Sequence, residues 1–76
     1  MNDPRAQFRA LRPPTVGSMV MLPDPDETGE TLHTVIRRVR GSVYRLEHDD
    51  TGKEVTADLA QKGTVWTVGS TTYRID

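Results

Sequence analysis

Two turn signatures in the second half of the chain, Asp49-Asp50-Thr51-Gly52 and Gly69-Ser70, restrict the fold more than any other feature. Each stands between short runs rich in β-branched and aromatic residues, Val43–Leu46 and Val55–Leu59 around the first, Val65–Val68 and Thr71–Ile75 around the second. Such runs across a tight turn read as β-hairpins. A four-residue loop with Gly52 left-handed pairs Leu46 with Val55 and Tyr44 with Ala57, so apolar side chains meet on one face. A three-residue loop would set Leu46 against Thr56 and Tyr44 against Asp58. Because a one-residue slip turns every side chain to the other face, burial rejects it. Gly69-Ser70 suits a type II′ turn, with glycine at the first central position. That turn pairs Val68 with Thr71, Trp66 with Tyr73 and Thr64 with Ile75, and gathers Trp66, Val68, Tyr73 and Ile75 on one face. The expected core is Tyr44, Leu46, Val55, Ala57, Trp66, Val68, Tyr73 and Ile75.

Upstream, Val16 to Pro23 reads as a first strand, buried on much of both faces and stopped by Pro23. Leu32 to Arg40 reads as a long second strand. Its apolar Ile36 and Val39 are three apart, which breaks the two-residue period and predicts a bulge or bend at Arg37 and Arg38. At 76 residues, five or six short strands leave no room for a crossover helix. The expected class is all-β, a small antiparallel SH3-like barrel over residues 16–76.

Residues 1–15 read as an arm. Asp3 is an N-cap, Pro4 suits the first helical position, and a short helix runs to about Leu11 before Pro13 and Pro14 stiffen the linker. Arg5, Arg9 and Arg12 are spaced to share one face, with Phe8 and Leu11 beside them. Helices this short form mainly when docked. The arm therefore either caps an open end of its own barrel or binds a partner through Arg5, Phe8, Arg9, Leu11 and Arg12.

With no cysteine and only two histidines, His33 and His48, disulfides and thiolate metal sites are excluded, and no metal or cofactor site is expected. The Asp24–Glu30 segment opens like a calcium loop, but Val35 stands at the twelfth position, where a bidentate glutamate is needed. Asp24, Asp26, Glu27 and Glu30 therefore read as a solvated acidic loop. Neither histidine has a nucleophile or metal spacing around it, so no enzyme is expected. Arg37, Arg38 and Arg40, extended by Arg45, form the densest basic patch, suited to an acidic protein or to phosphates. A net charge of -1 gives no global attraction to nucleic acid, so any such contact must be local. No apolar run approaches the length of a bilayer span, and the arginine-bearing start has no signal-peptide core. The expectation is a soluble protein, cytoplasmic or virion-associated.

The runs V-G-S-M-V-M-L-P, V-I-R-R-V-R-G-S-V-Y-R-L-E and T-G-K-E-V resemble the SH3-like C-terminal domains of retroelement integrases over about half the chain. That resemblance implies the barrel fold and, as an alternative function, nucleic-acid binding through the arginine clusters. The closing K-G-T-V-W-T-V-G-S-T-T-Y-R-I resembles the glycine-punctuated hairpin of small β-barrel proteins in tailed-phage virions, of the head-tail joining type. It implies a structural role in a phage-related assembly. The aromatic groove by which signalling SH3 domains clasp polyproline has no counterpart. Net charge alternates in sign from block to block: positive over 1–15, negative over 24–30, positive over 37–45, negative over 47–58. Unlike blocks meet head to tail, which predicts a protein partner or a homo-oligomer built through heterologous contacts.

Overall fold

The computed structural model describes residues 3–23 and 29–76. Among these, a short helix, α1 (Pro4–Ala10), precedes six strands: β1 (Met19–Pro23), β2 (Glu30–Arg40), β3 (Val43–His48), β4 (Glu54–Asp58), β5 (Val65–Val68) and β6 (Thr71–Arg74). All pair antiparallel in one sheet of order β4-β3-β2-β1-β5-β6. The outer strands β4 and β6 do not pair with each other, so the sheet is not closed.

Both hairpin registers follow the burial argument. Leu46 lies opposite Val55 and Tyr44 opposite Ala57, and the loop carries Gly52 at φ 72°. Its closing bond runs from the Gly52 amide to the His48 carbonyl, 2.8 Å. In the second hairpin Trp66 lies opposite Tyr73 and Val68 opposite Thr71, while the Ile75 amide donates to the Thr64 carbonyl at 2.9 Å. Gly69 has φ 63° and Ser70 has no positive φ, which fits a type II′ turn with the glycine first.

The bend of β2 comes from two interruptions of its pairing with β3. Val35 pairs with Leu46 and Arg37 with Arg45, leaving Ile36 over; Arg38 then pairs with Tyr44 and Arg40 with Val43, leaving Val39 over. The extra residues are thus the two apolar ones that break the alternation, and they flank the arginine pair. An unpaired residue on one strand increases local twist and turns the strand.

Enclosed by the bend are Val20, Val35, Tyr44, Leu46, Leu59, Trp66 and Ile75, each at most 2 % exposed. Val55, Ala57 and Tyr73 pack at the margin of this cluster, half-buried. Each fully buried aliphatic or aromatic side chain contributes roughly 1.5–3 kcal/mol against the conformational entropy lost on ordering the chain. Leu59 and Ala60 are buried although they lie in the connection after β4; the Leu59 amide donates to the Ser42 carbonyl at 2.8 Å and carries the chain across the core.

Two expected elements are shorter than the sequence suggested. The first strand starts at Met19, because Gly17 at φ 89° and the bond from the Ser18 amide to the Thr15 carbonyl make Val16–Ser18 a turn, with Val16 73 % exposed. Only Val20 of β1 is fully buried; Met21 and Leu22 are half-buried. The helix stops at Ala10, with Leu11 as an extended C-cap. Arg12 precedes Pro13, which disfavours helical backbone, so Arg12 leaves the face shared by Arg5 and Arg9.

Candidate functional site: a groove between the helix and the second strand

The helix is docked on its own sheet. Asp3 caps it, its Oδ1 accepting from the Arg5 amide at 3.0 Å. Phe8, 6 % exposed, packs its ring 5.3 Å from Trp66 and 6.3 Å from Tyr44, centroid to centroid. The Gln7 side chain ties the helix to the end of β6, donating to the Arg74 carbonyl at 3.2 Å and accepting from the Asp76 amide at 3.1 Å. Beyond the helix, the Trp66 indole donates to the Arg12 carbonyl at 2.8 Å. Of the two arrangements open to the arm, capping its own sheet is the one adopted. Phe8 is therefore committed to the core, while Arg5, Arg9 and Arg12 stay exposed and Leu11 half-buried.

Docking leaves a groove of about 510 Å³ between α1 and the turn joining β2 to β3. Phe8, Leu11, Pro13 and Tyr44 make its apolar floor and walls, and Arg5, Arg9 and Arg38 stand around them. Gly41 and Ser42 close one end. Arg38 reaches this position through the bulge at Ile36, which shifts the register so that Arg38 lies opposite the inward-facing Tyr44. Its Nε donates to the Gly41 carbonyl at 3.0 Å, which orients the guanidinium and leaves the terminal nitrogens without an acceptor among the described residues. Arg5 Nη2 lies 3.5 Å from Asp58 Oδ2, an exposed pair. Arg9 has no hydrogen bond or ion pair among the described residues.

Two titratable groups at the groove are perturbed. Burial pushes the Tyr44 hydroxyl above its ordinary value, partly offset by the Arg38 charge, so it is a neutral donor at physiological pH. Tyr44 is only 2 % exposed, yet its hydroxyl has no hydrogen-bond partner among the described residues. Asp58 is held below the usual carboxylate value, first by the hydrogen bond from Ser42 Oγ, then by the Ala60 amide and the Arg5 charge, against the opposing effect of partial burial.

The basic patch is divided by the same register shift. Arg38 faces the groove with Tyr44, whereas Arg37 and Arg45 lie opposite each other on the other face, and Arg40 lies opposite Val43. Arg45 is engaged, its Nε 3.2 Å from Glu54 Oε1 and its Nη1 2.9 Å from Thr56 Oγ1. Asp24, Asp26 and Glu27 lie outside the described residues; Glu30 is exposed at the start of β2.

Nothing in their spacing joins His33 to His48, but the pairing of β2 with β3 sets them directly opposite, rings edge to face with centroids 5.1 Å apart. His33 is 5 % exposed and its Nδ1 donates to the Thr31 carbonyl at 3.0 Å. His48 Nδ1 instead accepts from the Asp50 and Thr51 amides at 3.1 and 3.3 Å, which closes the β3–β4 loop. Both Nδ1 atoms serve structure, and no group of three or more metal-ligating side chains forms among the described residues. No described helix is long and apolar enough to cross a membrane. No protein-family model matches the chain, nor does any curated protein or solved structure.

Proposed function

We propose that this chain is a non-enzymatic binding module, a small structural or accessory protein of a larger assembly, built on an SH3-like small β-barrel. The groove between α1 and β2 carries this reading: three arginines surround an apolar floor, two of them without a carboxylate partner among the described residues. A concavity with an apolar floor and convergent cationic side chains is suited to binding. The single six-stranded antiparallel sheet, the double register shift in β2 and the short turns support the SH3-like reading. The phage-related setting rests on the resemblance of the closing hairpin to head-tail joining proteins and on the alternation of charge blocks. Contacts are made by the helix-capped face, not by a free arm.

Sedimentation velocity across a wide range of protein concentration and salt tests the assembly role. Self-association that weakens with salt is the expected result. A chain that stays monomeric throughout and binds duplex DNA tightly at low salt would move the assignment to the nucleic-acid-binding alternative, whose affinity should fall by roughly 0.7 to 0.9 log unit per phosphate contact per log of salt.

A further inference from the structure

Three features of the groove point to what fills it. The first is charge: Arg9 and the terminal nitrogens of Arg38 have no acceptor among the described residues, while Arg5 is already shared with Asp58. Guanidinium groups held in place by a second bond, as Arg38 is by the Gly41 carbonyl, are suited to chelating a planar oxyanion. The second is the Tyr44 hydroxyl, a neutral donor on a residue 2 % exposed, with no partner among the described residues. A donor at the groove with no partner in the fold is open to an incoming acceptor. Unlike Thr64 Oγ1, which is sealed from solvent, the Tyr44 oxygen keeps some access, and Tyr44 lines the groove. The third is the apolar surface of Leu11 and Pro13 beside these donors.

A polyanion fits this arrangement poorly. Arg37, Arg40 and Arg45 are turned away from the groove, so the basic residues do not form one continuous track, and Arg45 is neutralised by Glu54. Phe8, Tyr44 and Trp66 are buried, which leaves no aromatic platform at the groove for base stacking. A carboxylate next to an apolar side chain uses all three features together.

We propose that the groove holds an acidic peptide segment of a protein partner, its carboxylate between Arg9, Arg38 and the Tyr44 hydroxyl and its neighbouring apolar side chain on Leu11 and Pro13. This identifies the chemistry of the partner and rests on the binding-module reading above.

The test is a nitrogen-15 NMR titration of the full chain with a capped peptide of alternating aspartate and leucine. Three matched probes accompany it: asparagine for aspartate, glycine for leucine, and a single-stranded oligonucleotide of equal charge. The acidic, leucine-bearing peptide should shift the amides of Phe8, Gly41, Ser42 and Tyr44, and each matched probe should bind about tenfold more weakly or worse. Arg38→Gln should weaken the peptide by about tenfold. Tyr44→Phe should weaken it while leaving the melting temperature unchanged or higher, because it removes a hydroxyl with no partner in the fold. The proposal is overturned if the peptide leaves the groove amides unmoved, if the asparagine version binds equally well, if the oligonucleotide binds more tightly at the same amides, or if both substitutions are silent. Failure here alongside salt-sensitive self-association would remove the groove's assignment and leave the assembly role standing.

Discussion

The indole N–H of Trp66 donates to the backbone carbonyl of Arg12 at 2.8 Å, across 54 positions of sequence. This bond fixes the proline linker over the core at the point where Phe8 packs, tilted, against the same indole ring. Helix, linker and closing hairpin are therefore one packing unit, and the groove exists only because they are.

Phe8→Ala should lower stability by about 3 kcal/mol, the low end for a buried aromatic, since a terminal helix can shift to fill part of the cavity. Urea unfolding followed by the fluorescence of the sole tryptophan measures it, with a red-shifted native emission as Trp66 gains solvent. An unchanged midpoint and native spectrum would mean that the helix does not dock.

Acid should weaken the fold through Asp58. Its folded-state pKa is depressed, so its stabilising contribution is present above the ordinary aspartate value and is lost as pH falls through the folded value. Ser42→Ala removes the largest cause of that depression. The variant's stability should depend less steeply on pH in the acid range, as read from thermal unfolding at a series of pH values; a slope equal to the parent's would exclude Ser42 as the cause.

Gly52→Ala should destabilise by roughly 1–2 kcal/mol, since φ is 72° and an L-residue is strained there. A Cβ at this position would meet nothing within 4 Å, so the loss is one of backbone conformation alone. A D-alanine introduced by chemical synthesis should restore the parent melting temperature, and a D-alanine variant as unstable as the L-form would refute that account.

Arg37→Glu should raise stability by about 0.2–1 kcal/mol, because Arg37 stands directly opposite Arg45 and like charges across a strand pair repel. The gain should shrink with added salt. A loss of stability at low salt would show that Arg37 has a partner that outweighs the repulsion.

The second half of the chain was readable because its turns are local. Glycine positions and the two-residue period specify which side chains of Tyr44, Leu46, Val55 and Ala57 face inward, and the bulge in β2 announced itself when Ile36 and Val39 broke that period. The groove was not readable in the same way. Arg38 looked like one of a run of equivalent arginines until the bulge turned it toward Tyr44 and left Arg37 and Arg45 on the opposite face. Leu59 and Ala60 looked like a connection, since nothing local marks a loop that crosses a core. The pairing of His33 with His48 likewise depends on strands brought together across a distance.

By itself, the sequence determined the antiparallel class, both hairpin registers, the helix cap at Asp3 and the absence of disulfides, all of which follow from short-range turn chemistry, periodicity and composition. Only the tertiary structure decided that the sheet stays open, that Phe8 joins Trp66 and Tyr44 in the core, and that a groove edged by Arg5, Arg9 and Arg38 remains beside it. Those outcomes depend on which distant surfaces pack together, and packing of that kind leaves no periodic trace in the chain.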